Sequence, residues 1–465
     1  MDNSITVRFV PHGRSNINFS DMESASSDAL TNMISPTKTK MHKGKDTLSR
    51  RRMRAEETPL NRLNLTVSRS EFNDMFRSPS LKETKTSQRG GMIAQRETYL
   101  QSDVLEVPEA LKGSIAFAYV PRPVEYFAPL AIPPKEHIYH LTLSDVQLAL
   151  NAPRCHRNSL TGANIRVAMV DSGFWPHPHF IRSGFKLIPT ESPGSGPADI
   201  DSSGHGTGEA ANIFATAPEC TVIGIKQGTS AASDLETAIS QKPDVMTNSW
   251  GYDIDDVDRE TLKQQDPNFF FELLDLEQII GSAVDDNIVV LFSAGNGHLA
   301  FPASFPKVIA VGGVTLTEGG GLEASSYASA FTSKIYPGRN VPDICGIVGR
   351  LDLPNPLTAH IMLPVPPNAN LDGENFPSNN VGSGWGIFSG TSAACPQAAG
   401  VVALLKQINR NLTPAQIRQI LVSRSVDVTT GVTATSVSAR TGPDLATGGG
   451  LIDALRACGY LNGMA

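Results

Sequence analysis

Five apolar runs of strand length, at residues 165–170, 221–225, 245–247, 288–292 and 308–311, are separated by segments with helical patterns. Runs without polar alternation mark strands covered on both faces, and strands alternating with helices build parallel sheets through right-handed crossovers. The pattern predicts an α/β fold with a mainly parallel sheet. Residues 141–150 predict a short helix that opens this unit. Upstream the pattern changes. Residues 104–127 alternate short apolar runs with Pro and Gly, which predicts one or two strands, and the Pro-rich residues 129–135 read as a linker. Residues 1–100 hold only five aromatics, Phe9, Phe19, Phe72, Phe76 and Tyr99, among many Ser, Thr, Asn, Lys and Arg. Such a stretch is expected to be largely disordered, because it buries too little apolar area to offset its ordering entropy. The chain thus divides into a basic extension (1–100), a linker or reduced prosegment (101–140) and a globular unit (141–465).

Charge follows the same division. The 465 residues carry 39 Lys+Arg and 46 Asp+Glu, a net charge of −7. The first hundred hold 17 basic and 11 acidic side chains, or +6; the remaining 22 basic and 35 acidic give −13. An anionic body argues against nucleic-acid binding. No run of about 18 apolar residues is present to span a membrane. The start has no charged head followed by an apolar segment of signal-peptide length. Five cysteines, an odd and sparse number, argue for reduced thiols, so a cytoplasmic location is expected. The basic run at residues 49–54 is open to three readings: a solvated charge cluster, a protease-sensitive site, or an anion-binding patch.

Candidate chemistry sits where open parallel sheets collect it, at the carboxyl ends of strands. Asp171 follows the first run directly. Alone it reads equally as a turn acid. His205, flanked by Gly204 and Gly206, opens a segment of helical composition and is poised to titrate near neutrality. Ser392 lies in the first turn of a small-residue helix at 391–408, where unpaired backbone N–H groups and the helix dipole favour a developing negative charge. The chain order Asp171, His205, Ser392 joins the three.

With these residues the sequence resembles the subtilisin-like serine proteases, the subtilases, over about residues 145–460. The resemblance rests on Val170-Asp171-Ser172-Gly173, His205-Gly206-Thr207, Ser293-Ala294-Gly295-Asn296, and Gly390-Thr391-Ser392 with Pro396 four residues on. The order Asp, His, Ser is the subtilisin order. The resemblance implies a three-layer α/β/α fold and a serine endopeptidase: Ser392 as nucleophile, His205 as general base, Asp171 orienting it, and Asn296 with the Ser392 N–H as oxyanion donors. It further implies substrate walls from Ser249, Trp250 and Gly251 and from Ser293, Ala294 and Gly295, whose backbone would pair an extended peptide. No cofactor is required by this chemistry. Subtilases often bind structural calcium, for which no site is assigned.

Departures from the family pattern carry their own readings. Gly208-Glu209 replaces a His and a small apolar residue; Glu209, four residues after His205, complements the helix N-terminus, tunes His205 or contacts substrate. Cys395, beside the serine turn, reads as a small buried residue or a sensitive thiol. An insertion at 252–275 carries Asp253, Asp255, Asp256, Asp258 and Glu260 against Arg259, and reads as a solvated loop or as a cleft rim that attracts basic peptides. A second insertion, 347–383, precedes the serine helix. The expected partner is a protein or peptide substrate, with the chain's own basic extension as a candidate inhibitor. A peptide ligase using the same acyl-enzyme, or a non-catalytic scaffold on a protease fold, are the competing readings.

Overall fold

The computed structural model describes residues 4–13, 35–76, 81–85, 98–102, 105–122, 139–254, 256–350, 358–372 and 382–462. In its N-terminal part lie β1 (Ser4–Pro11), α1 (Lys38–Arg50), β2 (Ala55–Glu57), β3 (Leu63–Ser68), α2 (Arg69–Phe76), the hairpin β4 (Leu81–Lys85) and β5 (Thr98–Ser102), and β6 (Ile115–Tyr119). An antiparallel sheet in the order β2-β3-β1-β6 covers a core of its own. Ile5, Val7 and Phe9 alternate along β1 and meet Met41, Leu48, Phe72 and Phe76 from the two helices.

The expectation of disorder across residues 1–100 therefore does not hold for residues 4–13 and 35–76, and β6, beyond residue 100, pairs with β1 in the same sheet. The physical reason lies on the second face of that sheet. Arg8, Arg62 and Asn64 point from it and are buried, although composition alone reads such residues as solvated. The basic run ends α1 and the turn after it, with Arg50, Arg51, Arg52 and Arg54 exposed.

The second unit begins with β7 (His140–Leu141), α3 (Leu143–Ala149) and α4 (Ala152–His156). Thr142 and Asp145 form a reciprocal capping box at the start of α3,. There follow β8 (Arg166–Asp171), α5 (Pro178–Ser183), β9 (Lys186–Glu191), α6 (His205–Thr216), β10 (Thr221–Lys226), α7 (Ala231–Ser240) and β11 (Val245–Asn248). Next come β12 (Tyr252–Asp253), α8 (Arg259–Gln265), α9 (Pro267–Asp285), β13 (Val289–Ser293), β14 (Ala300–Phe301), β15 (Ile309–Leu316) and β16 (Leu322–Ala324). The chain closes with β17 (Phe331–Thr332), β18 (Asn340–Val341), β19 (Ile344–Ile347), β20 (His360–Pro364), β21 (Trp385–Phe388), α10 (Thr391–Ile408), α11 (Pro414–Arg424) and α12 (Ala454–Asn462).

The central sheet has eight strands in the order β16-β15-β13-β11-β8-β10-β9, with β19 also on β15. All its pairings are parallel except β15 with β16. Along β8, Val167 and Met169 pack toward α6 and α10, while Ala168 and Val170 pack toward α7 and α9. Both faces are dry, which is why the five runs lack polar alternation. Each predicted strand is found within a residue or two at its start. The edge strand β9 escaped sequence reading because it contains Pro189 and is half exposed,.

Neither insertion is a free loop throughout. Tyr252 and Asp253 pair with Phe301 and Ala300, Asp258 caps α8 through the Thr261 N–H at 2.7 Å, and Asp256 pairs with Lys334 at 2.7 Å. Asp255 lies outside the described residues. Asp275, the last residue of that insertion as read from sequence, belongs to α9. In the second insertion β20 joins β21 antiparallel and β7 parallel, and residues 351–357 and 373–381 lie outside the described residues.

The two units meet across α7 and α9. Arg8 Nε donates to Asp275 Oδ2 at 2.8 Å and Arg62 Nε to Asp275 Oδ1 at 2.5 Å. Glu236 pairs with Arg8 at 3.3 Å and with Arg62 at 3.2 Å. Tyr119 Oη donates to Asp275 at 2.9 Å, and Asn64 donates to Ser233 at 2.6 Å. Around this cluster Phe117 stacks on Phe271, with ring centroids 5.2 Å apart. Burial raises the cost of ionising Asp275, but the two arginines outweigh it and hold the carboxyl below its ordinary range,. Asp275→Ala strands two buried guanidinium groups and is expected to lower stability by about 3–5 kcal/mol. Equilibrium urea unfolding of the full chain measures it, and a loss below about 1 kcal/mol, the range of an exposed pair, contradicts the account.

Candidate active site

The site is assembled from strand ends on one edge of the central sheet. Asp171 terminates β8, residues 249–251 follow β11, and Ser293 terminates β13 with 294–296 just beyond. Asp171 is completely buried and meets His205, with Oδ1 to Nδ1 at 2.8 Å. The Ser172 N–H also donates to that oxygen, at 2.7 Å.

His205 is the first residue of α6, after Gly204 in the left-handed region at φ 85°. The residue that sets this helix start is Asp201, which sequence reasoning missed. Its carboxylate accepts from Ser172 Oγ and Gly204 N at 2.8 Å each, and from Thr207 N and Oγ1 at 2.9 and 2.7 Å. The signal was present as an acid four residues before the histidine, where it ties the Asp171 turn to the first turn of α6. Close packing explains the glycines that follow. A Cβ at Gly206 would collide with the Gly173 carbonyl and lie 3.0 Å from Asp171 Cβ, and one at Gly208 would enter the ring of Phe388.

Ser392 lies in the first turn of α10. Its Oγ donates to the Ser249 carbonyl at 3.2 Å, and Ser249 Oγ donates back to the Ser392 carbonyl at 2.8 Å. The turn is bound to the β13 loop as well. Asn296 Oδ1 accepts from Thr391 N at 2.8 Å and from Thr391 Oγ1 at 3.1 Å, while Gly295 N donates to Thr391 Oγ1 at 3.0 Å. The Asn296 amide is thereby fixed with its oxygen toward the serine turn. Asn296 N donates to His298 Nδ1 at 3.2 Å.

The wall residues divide. Ala294 N donates to the Val311 carbonyl at 2.9 Å, so the start of the second wall is tied to β15. The indole of Trp250 is a core side chain, 5.2 Å from Phe292 centroid to centroid and completely buried. Cys395 is buried with Sγ 3.3 Å from Thr247 Oγ1, and burial pushes its thiol up to about 12. That environment is the one of a packed small residue rather than a reactive thiolate.

Electrostatically the site is acidic, and its ionisable groups are buried. Burial opposes a charged His205, but the Asp171 carboxylate and its hydrogen bond, with Glu209 and Asp201 behind them, lift the imidazole to about 9. Burial pushes Glu209 up to about 8, against the pull of His205 and the Asn212 hydrogen bond. Among the described residues no group of three or more His, Cys, Asp or Glu side chains converges to hold a metal, so no calcium position is assigned. Among the same residues no helix is long and apolar enough to cross a membrane.

An acid in contact with an imidazole, and a buried serine at the start of a small-residue helix, follow one another in the subtilisin chain order. Residues 162–450 match the subtilase family, and the chain belongs to that family. It is a serine endopeptidase. Subtilisin NAT of Bacillus subtilis subsp. natto is 26% identical over 379 residues, covering 74% of this chain and 81% of that protein. Serine protease AprX of Bacillus subtilis (strain 168) is 30% identical over 297 residues, covering 57% of this chain and 61% of that protein. Among solved structures, fervidolysin from Fervidobacterium pennivorans, a keratinolytic enzyme related to subtilisin, has a TM-score of 0.59 at 17% identity, covering 98% of this chain and 61% of its own. A lanthipeptide protease has a TM-score of 0.52 at 19% identity, covering 69% of this chain and 95% of its own. These two likenesses concern the fold, and the first runs over both units.

The packing around Gly206 yields a direct check. Gly206→Ala is expected to push His205 away from Asp171 and to slow active-serine labelling by at least about tenfold, since displacements of an ångström cost that much or more. Labelling of the variant at the wild-type rate contradicts the geometric argument.

Proposed function

We propose that this protein hydrolyses peptide bonds through an acyl-enzyme in which Ser392 attacks, His205 moves the proton and Asp171 holds the imidazole. The observation that carries the reading is the 2.8 Å contact of His205 Nδ1 with Asp171 Oδ1, joined to a serine turn and an Asn296 loop that share hydrogen bonds. In this mechanism His205 Nε2 takes the Ser392 proton and later gives it to the leaving amine. Asp171 orients the ring and stabilises the imidazolium. Asn296 and the Ser392 N–H are the donors aimed at the oxyanion. The backbone at 249–251 and 293–295 would pair an extended peptide. A fluorophosphonate probe tests the assignment: the wild-type chain is expected to be labelled and Ser392→Ala not at all. Asn296→Ala is expected to keep labelling-competent Ser392 but to lower turnover about 100- to 1000-fold. Products carrying an added amine would instead favour the ligase reading.

We further propose that the N-terminal unit restrains the enzyme. Two observations support this: the unit is docked on α7 and α9 through buried ion pairs, and Asp171, His205 and Ser392 are all completely buried. A substrate reaches such a site only after whatever covers it moves. Intact-mass measurement of wild-type and Ser392→Ala protein is expected to show a shortened chain for the first alone; identical masses would reject self-processing. All five cysteines are buried and unbridged, which supports the proposal of a reducing, cytoplasmic location. The acids at 253–260 support a basic-peptide preference only through Glu260 and their net charge, since three of them already serve structural partners.

A further inference from the structure

His205 has two ring nitrogens with different surroundings. Nδ1 meets Asp171. Nε2, which receives the Ser392 proton in the mechanism above, lies 4.0 Å from Glu209 Oε1. Glu209 stands one turn after His205 on α6, so the helix itself places the carboxyl on the imidazole's side. The carboxyl is completely buried. Its Oε2 accepts from Asn212 Nδ2 at 2.8 Å, while Oε1 has no hydrogen-bond partner among the described residues. Asn212 Oδ1 accepts in turn from Gln397 Nε2 at 3.3 Å, and Gln397 is locked to the backbone of Ile347 at 2.8 and 3.0 Å. Gln397 belongs to α10, the helix of Ser392. The carboxyl is therefore fixed against both the histidine helix and the serine helix. A buried acid with an unsatisfied oxygen is costly, and core packing alone is served better by an apolar side chain.

We propose that Glu209 is a positioning residue for the proton of His205: the two side chains hold one proton between them, and His205 becomes a free base only when the pair releases that proton to solvent. The inference rests on His205 being the general base. The proton count is the same in both resting forms, a neutral acid beside a neutral imidazole or a carboxylate beside an imidazolium. Release to water leaves the Nε2 lone pair and a Glu209 carboxylate. Attack by Ser392 then moves its hydroxyl proton to Nε2, and the imidazolium forms between two carboxylates until the proton passes to the leaving amine.

The sign follows from charge. A second carboxylate makes the pair harder to deprotonate than an imidazole beside Asp171 alone, so the acid limb of activity lies at higher pH. The other titratable groups facing the pair are Asp171 at the end of β8, Asp201 ahead of α6, and the Cys395 thiol on α10. Phe388 of β21 covers the imidazole at 6.3 Å. Replacing Glu209 leaves all of these in place.

The test uses full-length protein and Glu209→Gln, which keeps the size of the side chain and an oxygen for Asn212. Two readouts apply: the pH dependence of the fluorophosphonate labelling rate, and the ¹⁵N-histidine NMR titration of Ser392→Ala with and without Glu209→Gln, the His205 signals being assigned by their loss in His205→Gln. Both midpoints are expected to fall by about one pH unit or more in the Gln variant, with the alkaline plateau retained. A shift smaller than roughly half a unit, or one toward higher pH, overturns the proposal. Glu209→Val makes the same measurement should the Gln variant fail to fold. A merely structural role lowers stability and the plateau while leaving the midpoint where it was. Wild-type protein that takes no label contradicts the protease mechanism itself, whereas the NMR titration still reads the pair.

Discussion

Strands β8, β11 and β13 are buried on both faces by helices, and a polar side chain placed along them would be stranded in apolar surroundings. Within β11 Thr247 finds only the Cys395 thiol among the described residues, whereas at the strand ends loops and helix N-termini offer unpaired backbone groups. Asp171, Ser249 and Ser293 occupy those positions. The placement of these three residues is thus a boundary condition of the sheet. Change the register of one strand and its site residue moves by a full side-chain step to the opposite face.

How much of this was legible in the sequence depended on how local the cause was. The apolar runs of the parallel strands were readable because double-sided burial leaves an unbroken pattern. The motifs around Asp171, His205, Ser392 and Asn296 stood out because each is short and has small neighbours, and the packing of Gly206 against Asp171 shows why one of those neighbours is small. Asp201 was not singled out because its role, joining Ser172 to the turn of Thr207, exists only once β8 and α6 are brought together. Trp250 was read as part of a wall from its place beside Ser249 and Gly251, whereas the indole fills the core against Phe292. Position in a motif does not tell which way a side chain turns.

The N-terminal unit was least legible, for a reason rooted in composition. Counting aromatics and charges treats Arg8 and Arg62 as solvated, and the structure buries both against Asp275 and Glu236. The partners of Arg62 and Asn64 across the interface, Glu236 and Ser233, lie more than 160 positions away in the chain. No window over residues 1–100 contains that information. The same acids, read from sequence as part of the anionic body, are neutralised locally, so the separation of charge between the two parts is partly closed across one interface.

The contact of Arg8 with Asp275 also orders events in time, since 267 residues separate them. At synthesis rates of about 5–20 residues per second, on the order of ten to fifty seconds pass between the emergence of the arginine and of its carboxylate partner. Arg62 and β6 are made within that interval, and until Asp275 is made neither guanidinium has this carboxylate to pair with. The outer face of the sheet is therefore completed only by the synthesis of α9, the element that carries Asp275.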